Sequence, residues 1–489
     1  MKKIALLLTL ISIINTNLLW GQAKPEWNDL FSKINQEVLT HSNAYNSLKI
    51  ASKTIGHRTT GSANGHKAES YTFNLLKSYG YTNLRFQPFE VESWSRGNIL
   101  VKIGSDINNL KPIKSVSLAH SPVKVNLTLE VVDMGNGVEE DYIANPEKVV
   151  GKIALVYLGI LPGSKPGTPG LHRSEKTAIA TKHGAKGIIV INTPANGVLL
   201  TGTASVTGKL IPIPAVCIGK EDGMLLKEQL KKEKLWSHIN MTNFSGMIKA
   251  RNVIATIKGS SIPNEKIVIG GHLDSWDLAT GAIDNGIGSF SVLDMARTFA
   301  SLKLKPARSI EFVLFMGEEQ GLLGSRAYVA ASMKNKSIEQ IRYMLNFDMT
   351  NDPKGFSTSA EESRTLFQSI GTIANKIDTN FKNTFSVGAG LHSDHQPFML
   401  RGIPNGGAAG GGLPKGASPC YHADCDVFDL VNEKELQNTV RYGSMLLYGI
   451  ADANEIKAKH LTDEETKQFL LKNNLKEPLQ IAGEWRWKD

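Results

Sequence analysis

Cysteine is scarce, with three in 489 residues and no C-x-x-C pair among them, so neither a thiolate metal cluster nor a dithiol redox centre organises the chain. Other familiar chemistries are missing as well. There is no H-E-x-x-H zinc helix, no G-x-S-x-G nucleophile elbow and no P-loop. The stretch from Gly202 to Lys209 imitates a P-loop, but its spacing is one residue too long and Leu210 stands where a hydroxyl is needed. No dense basic block exists either. The most concentrated run, Lys227 to Lys234, is interrupted by glutamates and reads as the solvated face of a helix, which argues against nucleic acid as a partner. Beyond the N-terminus no apolar run approaches the roughly 20 residues that cross a bilayer.

What is present describes a globular protein: 41% hydrophobic and 21% charged residues, over a length that calls for two or three domains. The net charge is +9, and +7 without Lys2 and Lys3. Those two lysines open a secretory signal pattern, followed by an apolar Ile4 to Ile14 broken only by Thr9 and Ser12. Small residues at Gly21 and Ala23 offer a cleavage point, so residues 1–21 are expected to be a signal peptide rather than an anchor. The mature chain is expected in the periplasm or outside the cell, without a membrane span. In that oxidising setting Cys420 and Cys425 are close enough to form a small loop, which leaves Cys217 as a buried thiol in an apolar run.

Three textures follow one another. Residues 24–118 begin with helical patterning over Gly65 to Tyr79, stopped by Gly80, and continue with strands over Leu84 to Trp94 and Asn98 to Ile103. Residues 119–248 alternate short apolar strands with Gly/Pro-rich turns around one helix, Glu175 to His183. This block shows no titratable cluster of catalytic spacing and reads as a separate inserted domain. Residues 249–453 alternate strands (Lys266 to Gly270, Ser309 to Met316, Arg342 to Phe347) with helices (Gly286 to Ser301, Leu322 to Met333, Glu361 to Ile377, Glu433 to Ile450). That alternation predicts an α/β domain, a mixed but largely parallel sheet sandwiched by helices. Residues 454–489 are a charged extension, helical or loose.

Four segments of the third block place ionisable groups at strand ends or helix starts, where ligands gather in open α/β sheets. They are Gly270 to Asp277 (GGHLDSWD), Gly281 to Gly286 (GAIDNG), Met316 to Gly321 (MGEEQG) and Asn346 to Asp348. Singly, each has a plain explanation. Asp284 suits a helix N-cap, Glu318 and Glu319 suit a first turn, and His272 suits a satisfied core histidine. Together they bring one imidazole and four carboxylates to one sheet face, an arrangement that is costly without a cation. Nitrogen and oxygen donors without thiolate suit zinc, with cobalt or manganese as substitutes. Two such ions sharing a carboxylate would polarise a carbonyl and activate a water, and a spare glutamate would move the proton. A further histidine ligand lies among His392, His395 and His422, which spacing does not separate.

These residues resemble peptidase family M28, the co-catalytic zinc exopeptidases, over the mature chain to about residue 453. Ile55 to Ser62 (IGHRTTGS) is similar to the family's opening segment, and Gly151 to Val156 with Gly184 to Ile189 resemble a protease-associated (PA) domain inserted over 119–248. GGHLDSWD is similar to the plasma glutamate carboxypeptidase branch. The resemblance implies a zinc-exopeptidase fold and two zinc ions. His272 and Asp348 would bind one ion, Glu319 and His422 the other, and Asp284 would bridge them. Glu318 would be the general base, Asp274 would orient His272, and Asp284–Asn285 would be a cis peptide. The order fits, at gaps of 12, 34, 1, 29 and 74 residues from His272 through Asp284, Glu318, Glu319 and Asp348 to His422.

The resemblance also chooses His422. Cys420 to Asp426 (CYHADCD) is similar to a loop in which the two cysteines pair, the histidine binds zinc and the tyrosine hydroxyl, here Tyr421, steadies the oxyanion. Ser393-Asp394-His395 matches a motif near the family's substrate pocket, and a hydrogen-bonded helix start with Asp394 near the N-cap explains it equally well. The function expected is hydrolysis of terminal peptide bonds in short peptides, of aminopeptidase or dipeptidase type. The alternative is a glutamate-type carboxypeptidase, which needs a cationic pocket; Arg326, Arg364 and Arg401 qualify only by being basic. A non-catalytic receptor on the same scaffold is the rival from another class, and no ligand is lost here to favour it. A peptide is the expected partner, and a homo-oligomer is compatible with the sequence.

Overall fold

The computed structural model describes residues 23–488, so the signal peptide expected over residues 1–21 lies outside the described residues. Among the described residues all the strands join one 14-stranded mixed sheet. From one edge the order runs Thr384–Val387, Gly355–Thr358, Asn405–Ala409, Ile341–Asn346, Ile262–His272, Arg308–Phe315 and then the 23-residue Leu235–Ile257. It continues through Lys124–Asp133, Ile153–Tyr157, Gly187–Ile191 and Ala215–Ile218 to Ser115–Ser117. Strand Leu84–Gly104 lies along Leu235–Ile257 from Leu84 opposite Ala255 to Gly104 opposite Trp236, and carries Lys111–Ile113 at its far end.

This long ribbon is where the structure departs most from sequence expectation. The two strands expected over 84–94 and 98–103 are one, because the register slips between Arg96 and Ile99 without ending the pairing. The boundary expected at residue 248 falls inside Leu235–Ile257, whose one half pairs with Arg308–Phe315 and the other with Lys124–Asp133. The inserted block is therefore joined to the rest by a continuous hydrogen-bonded sheet.

The three strands that carry site residues are parallel to one another, with Ile262–His272 in the middle. Their interior residues are buried on both faces, as expected of a sheet covered by helices. Helices Trp27–His41, Ile287–Ser301 and Glu433–Asp452 share the larger core with Ile267, Ile269, Phe312 and Leu345. Val268, Val313, Phe315 and Met344 face Tyr328 and Phe398 on the other side. The inserted strands bury one face with helix Arg173–Lys182 and the other with Leu226 of Lys220–Leu230. Among the described residues no helix is long and apolar enough to cross a membrane.

Candidate metal centre

His272 is the last residue of the central strand, where the chain leaves the sheet. Its Nδ1 faces the Asp274 main-chain carbonyl at 3.0 Å, and the Asp274 carboxylate stands farther off at 3.6 Å. The carbonyl therefore sets the ring, and Nε2 is turned into the site. The Asp274 carboxylate serves the neighbouring loop instead. It accepts from the main-chain N–H groups of Glu318 (3.2 Å) and Glu319 (3.4 Å) and from Thr60 Oγ1 (3.1 Å).

Asp284 sits in a tight turn, Ala282–Gly286, that precedes helix Ile287–Ser301, and the Asp284–Asn285 peptide is cis. Asp426 fixes this turn by accepting from Ile283 N (2.7 Å) and Asp284 N (3.1 Å). Gly281 enters it with φ +61, and a Cβ there would meet Ser275 Cβ at 2.1 Å. So held, Asp284 points one oxygen each way: Oδ1 lies 3.2 Å from His272 Nε2 and Oδ2 lies 2.9 Å from His422 Nε2. Asp348 Oδ1 is 3.4 Å from His272, and Glu319 Oε2 is 3.1 Å from His422. Glu318 stands back, 4.0 Å from His272 Nε2. His422 Nδ1 faces the Thr201 carbonyl at 3.3 Å, an acceptor that leaves Nε2 free as a ligand. Cys420 and Cys425 are bonded around this loop, and Cys217 is a buried free thiol whose pKa burial pushes up to about 12.

The charge balance at the cluster calls for a cation. Burial raises Glu318 well above the usual carboxylate range, with Asp348, Glu319 and Asp394 adding repulsion, and it raises Glu319 to about 7. Burial alone would depress His422, but the charge of Glu319 and the bond to Asp284 reverse this and lift it to about 9. Donor atoms of His272, Asp284 and Glu319 all lie within 4.8 Å of one another. Glu319 Oε1 and Asp348 Oδ1 are buried without a hydrogen-bond partner among the described residues. Two imidazoles, three carboxylates and orphaned oxygens form the donor set expected of a zinc site.

The remaining expected residues occupy different places. Tyr421 lines the cavity beside the cluster and stacks on His422 with ring centres 3.9 Å apart. Ser393 Oγ donates to Asp348 Oδ2 at 2.6 Å and receives a bond from Asn346 (2.7 Å). Asp394 is fully buried at the start of the short helix His395–Met399 and makes no capping bond. Burial raises its carboxyl to about 7. His395 turns to the Gly390 carbonyl (3.0 Å). The cavity is bordered by their neighbours Leu391, His392 and Gln396, so the Ser393–His395 motif lies behind the pocket. Of the three candidate arginines, Arg326 lines the cavity but is paired with Glu484. Arg364 pairs with Glu361 at the surface, and Arg401 stands apart from the cavity beside Arg486 and Asp463.

Sequence reasoning missed several residues. Arg58, inside the IGHRTTGS segment, is fully buried and clamps the loop after His272. It donates to the carbonyls of Leu273 (2.6 Å), Thr280 (2.7 Å) and Gly281 (2.8 Å). Arg173 brings the inserted block, which shows no titratable cluster of catalytic spacing, to the cavity. It opens helix Arg173–Lys182, is 2% exposed, lines the cavity and brings Nη2 to 3.0 Å from His422 Nδ1. Gly202 makes room for it, since a Cβ there would lie 1.9 Å from Arg173 Nη2. His172, Ser174 and Glu175 line the same cavity. No local pattern announces them, because their significance depends on a helix arriving from another part of the chain.

The family described as "Peptidase family M28" matches residues 252–446, and "PA domain" matches 125–226. The chain is 29% identical over 356 residues to leucine aminopeptidase 2 of Trichophyton equinum, covering 70% of this chain and 67% of that one. It is 25% identical to mouse carboxypeptidase Q, covering 84% and 86% respectively. Among solved structures it is similar to BSAP, a zinc aminopeptidase from Bacillus subtilis, with a TM-score of 0.63, 25% identity and coverage of 86% and 98%.

Proposed function

We propose that this chain, which matches peptidase family M28 over residues 252–446, is a two-zinc exopeptidase trimming short peptides, of aminopeptidase or dipeptidase type. The observation that carries the reading is Asp284, whose two oxygens reach two separate histidine–carboxylate groups. A single carboxylate serving two cations is the arrangement a two-metal hydrolase requires. In this reading His272 and Asp348 would hold one ion, Glu319 and His422 the other, and Asp284 would serve both. The likeness to a zinc aminopeptidase and the thiolate-free donors favour zinc, with cobalt or manganese as substitutes. The cationic and apolar leader together with the Cys420–Cys425 bond supports export to the periplasm or beyond.

When bound, the ions supply Lewis acidity toward the scissile carbonyl and ease deprotonation of water. The protein's part is proton transfer and orientation. Glu318, within the cavity and outside the closest donor contacts, takes the proton of the attacking water and passes it to the departing amine. Asp274 keeps the Glu318–Glu319 main chain in place, Ser393 braces Asp348, and Asp426 and Arg58 hold the turn and loop that present Asp284 and His272. Tyr421 offers its hydroxyl to the developing oxyanion. The Thr201 carbonyl orients the His422 ring, and Arg173 adds positive charge beside it.

Arg173 also favours a second reading, the glutamate-type carboxypeptidase, because it supplies a cation at the cavity wall for a substrate carboxylate. A peptide-library digest separates the two by which terminus is trimmed. The metal assignment is tested by zinc analysis of the protein and of Asp284→Ala, in which both ions should be lost or weakened together. Absence of bound zinc, with no activity restored by zinc or cobalt, would overturn the proposal. So would full activity in Glu318→Ala.

A further inference from the structure

The C-terminal extension is part of the pocket. After residue 453 the chain is fastened to the peptidase region by main-chain contacts. Arg342 donates to the carbonyls of Ile456 (3.1 Å) and Ala458 (3.5 Å), and Leu461 N donates to Gly402 O (2.8 Å). Helices Asp463–Lys472 and Lys476–Ile481 then build a small core of their own. Leu470 and Leu479 are fully buried against Met399 and Leu400 of the peptidase region. On its other side Ile481 packs against the apolar cluster of the inserted region. The last helix thus bridges the two bodies that flank the metal cluster.

Pro478, Leu479, Ala482 and Glu484 form one wall of the cavity that contains His272, Asp284, Glu318 and His422. The Glu484 carboxylate grips both nitrogens of the Arg326 fork (2.9 and 2.8 Å) and accepts from Gln396 Nε2 (3.1 Å). Arg326 also donates through Nε to the Gly321 carbonyl (3.0 Å), at the end of the Glu318–Glu319 loop. Gln396 Oε1 accepts from His392 N (2.8 Å), and His392 stacks on His172 of the inserted region at 4.8 Å. One tail carboxylate therefore fixes two cavity-lining side chains, one joined to the Glu318 loop and the other to the inserted region. A bidentate, partly buried pair of this kind is specific in geometry as well as charge. The cavity measures about 110 Å³.

We propose that this C-terminal segment is the end wall of the substrate cleft and sets the length of peptide the enzyme accepts, with the Glu484–Arg326 pair as its latch. The inference rests on the exopeptidase reading and adds to it the element that restricts substrates to short peptides. A peptide longer than the cleft meets the Leu479–Ala482 face. Accepting it requires that the latch open and the last helix withdraw.

The test measures kcat/KM of the zinc-loaded full-length enzyme on leucyl peptides extended by alanine from two to six residues. The wild type should favour the short end of the series. Glu484→Ala should raise the hexapeptide-to-dipeptide ratio about tenfold, the scale of one pocket feature in substrate discrimination. Ala482→Phe, which fills the wall without removing the latch, should lower that ratio and stands as the second variant should Glu484→Ala fold poorly. Equal scaling of all lengths in both variants overturns the inference while leaving the exopeptidase reading intact. A wild type that trims none of the peptides at either end overturns that reading, and the inference with it.

Discussion

Along one half of the sheet, strands Ile262–His272, Arg308–Phe315 and Ile341–Asn346 each run into ionisable side chains: His272, then Glu318 and Glu319, then Asp348. Along the other half, Ile153–Tyr157, Gly187–Ile191 and Ala215–Ile218 are just as deeply buried, yet their strands end without a comparable cluster. Both halves pack helices against parallel strands, and the long ribbon joins them. In the first half chemistry is written at the strand ends, where a local motif can be read. In the second it depends on where one helix start, His172 to Glu175, comes to rest. An apolar, motif-poor region thus still lines the cavity, because the sheet carries it there.

The comparison can be broken most forcefully at Glu318. Glu318→Gln should cut kcat by about 10²–10⁴-fold, the usual range for a lost general base, while bound zinc is retained. The matching cut on the other half is Arg173→Ala. A loss of about 10–100-fold in kcat/KM with zinc retained, partly rescued by Arg173→Lys, would establish the inserted region as a contributor. An activity equal to wild type would reduce that region to scaffold.

A third measurement addresses stability. Burial depresses His120, in the inserted half, to about 4, and its Nε2 has no hydrogen-bond partner among the described residues. In the unfolded chain this histidine takes up its proton near pH 6.5, so between pH 6.5 and 4 the unfolded state binds more protons than the folded one. Its contribution to stability is therefore fully present above pH 6.5 and is lost as the pH falls toward 4, by on the order of 3 kcal/mol. Urea titrations across this range should show the slope, and His120→Gln should flatten it. The smallest effect is expected at the Cys420–Cys425 loop. Replacing both cysteines by serine should cost about 2 kcal/mol by chain entropy for so short a ring, and should loosen zinc at His422 more than at His272.

Much of the site was legible because metal chemistry leaves compact local marks. The GGHLDSWD, GAIDNG, MGEEQG and NFD segments each lie at the end of a strand or the start of a helix, and an alternating α/β pattern brings such points to one edge. The strand registers were less legible. Leu84 to Trp94 and Asn98 to Ile103 read as two strands with Ser95 to Gly97 between them, yet the pairing persists through a bulge between Arg96 and Ile99. Strands Gly355–Thr358 and Asn405–Ala409 are short and rich in glycine or hydroxyl residues, so they carry too little periodicity to stand out from loops. Arg58 and Asp426 could have been suspected only as charged residues inside conspicuous segments. Their work, holding carbonyls and amides of the ligand-bearing loops, is visible only in three dimensions.

By itself the sequence determined the class of chemistry and marked His272, Asp284, Glu319 and Asp348 as the proposed donors, with Glu318 spare, because donor type and position at a strand end or helix start are local properties. Tertiary structure decided what surrounds them: that Asp274 holds the Glu318 loop, that Ser393 to His395 stand behind the pocket, and that Arg173 and Glu484 reach it from elements far away in the chain. Those contacts join residues separated by up to 249 positions, from Arg173 to His422. Neither periodicity nor spacing records such a meeting, since it is produced only when the long ribbon and the final helix fold back onto the same sheet edge.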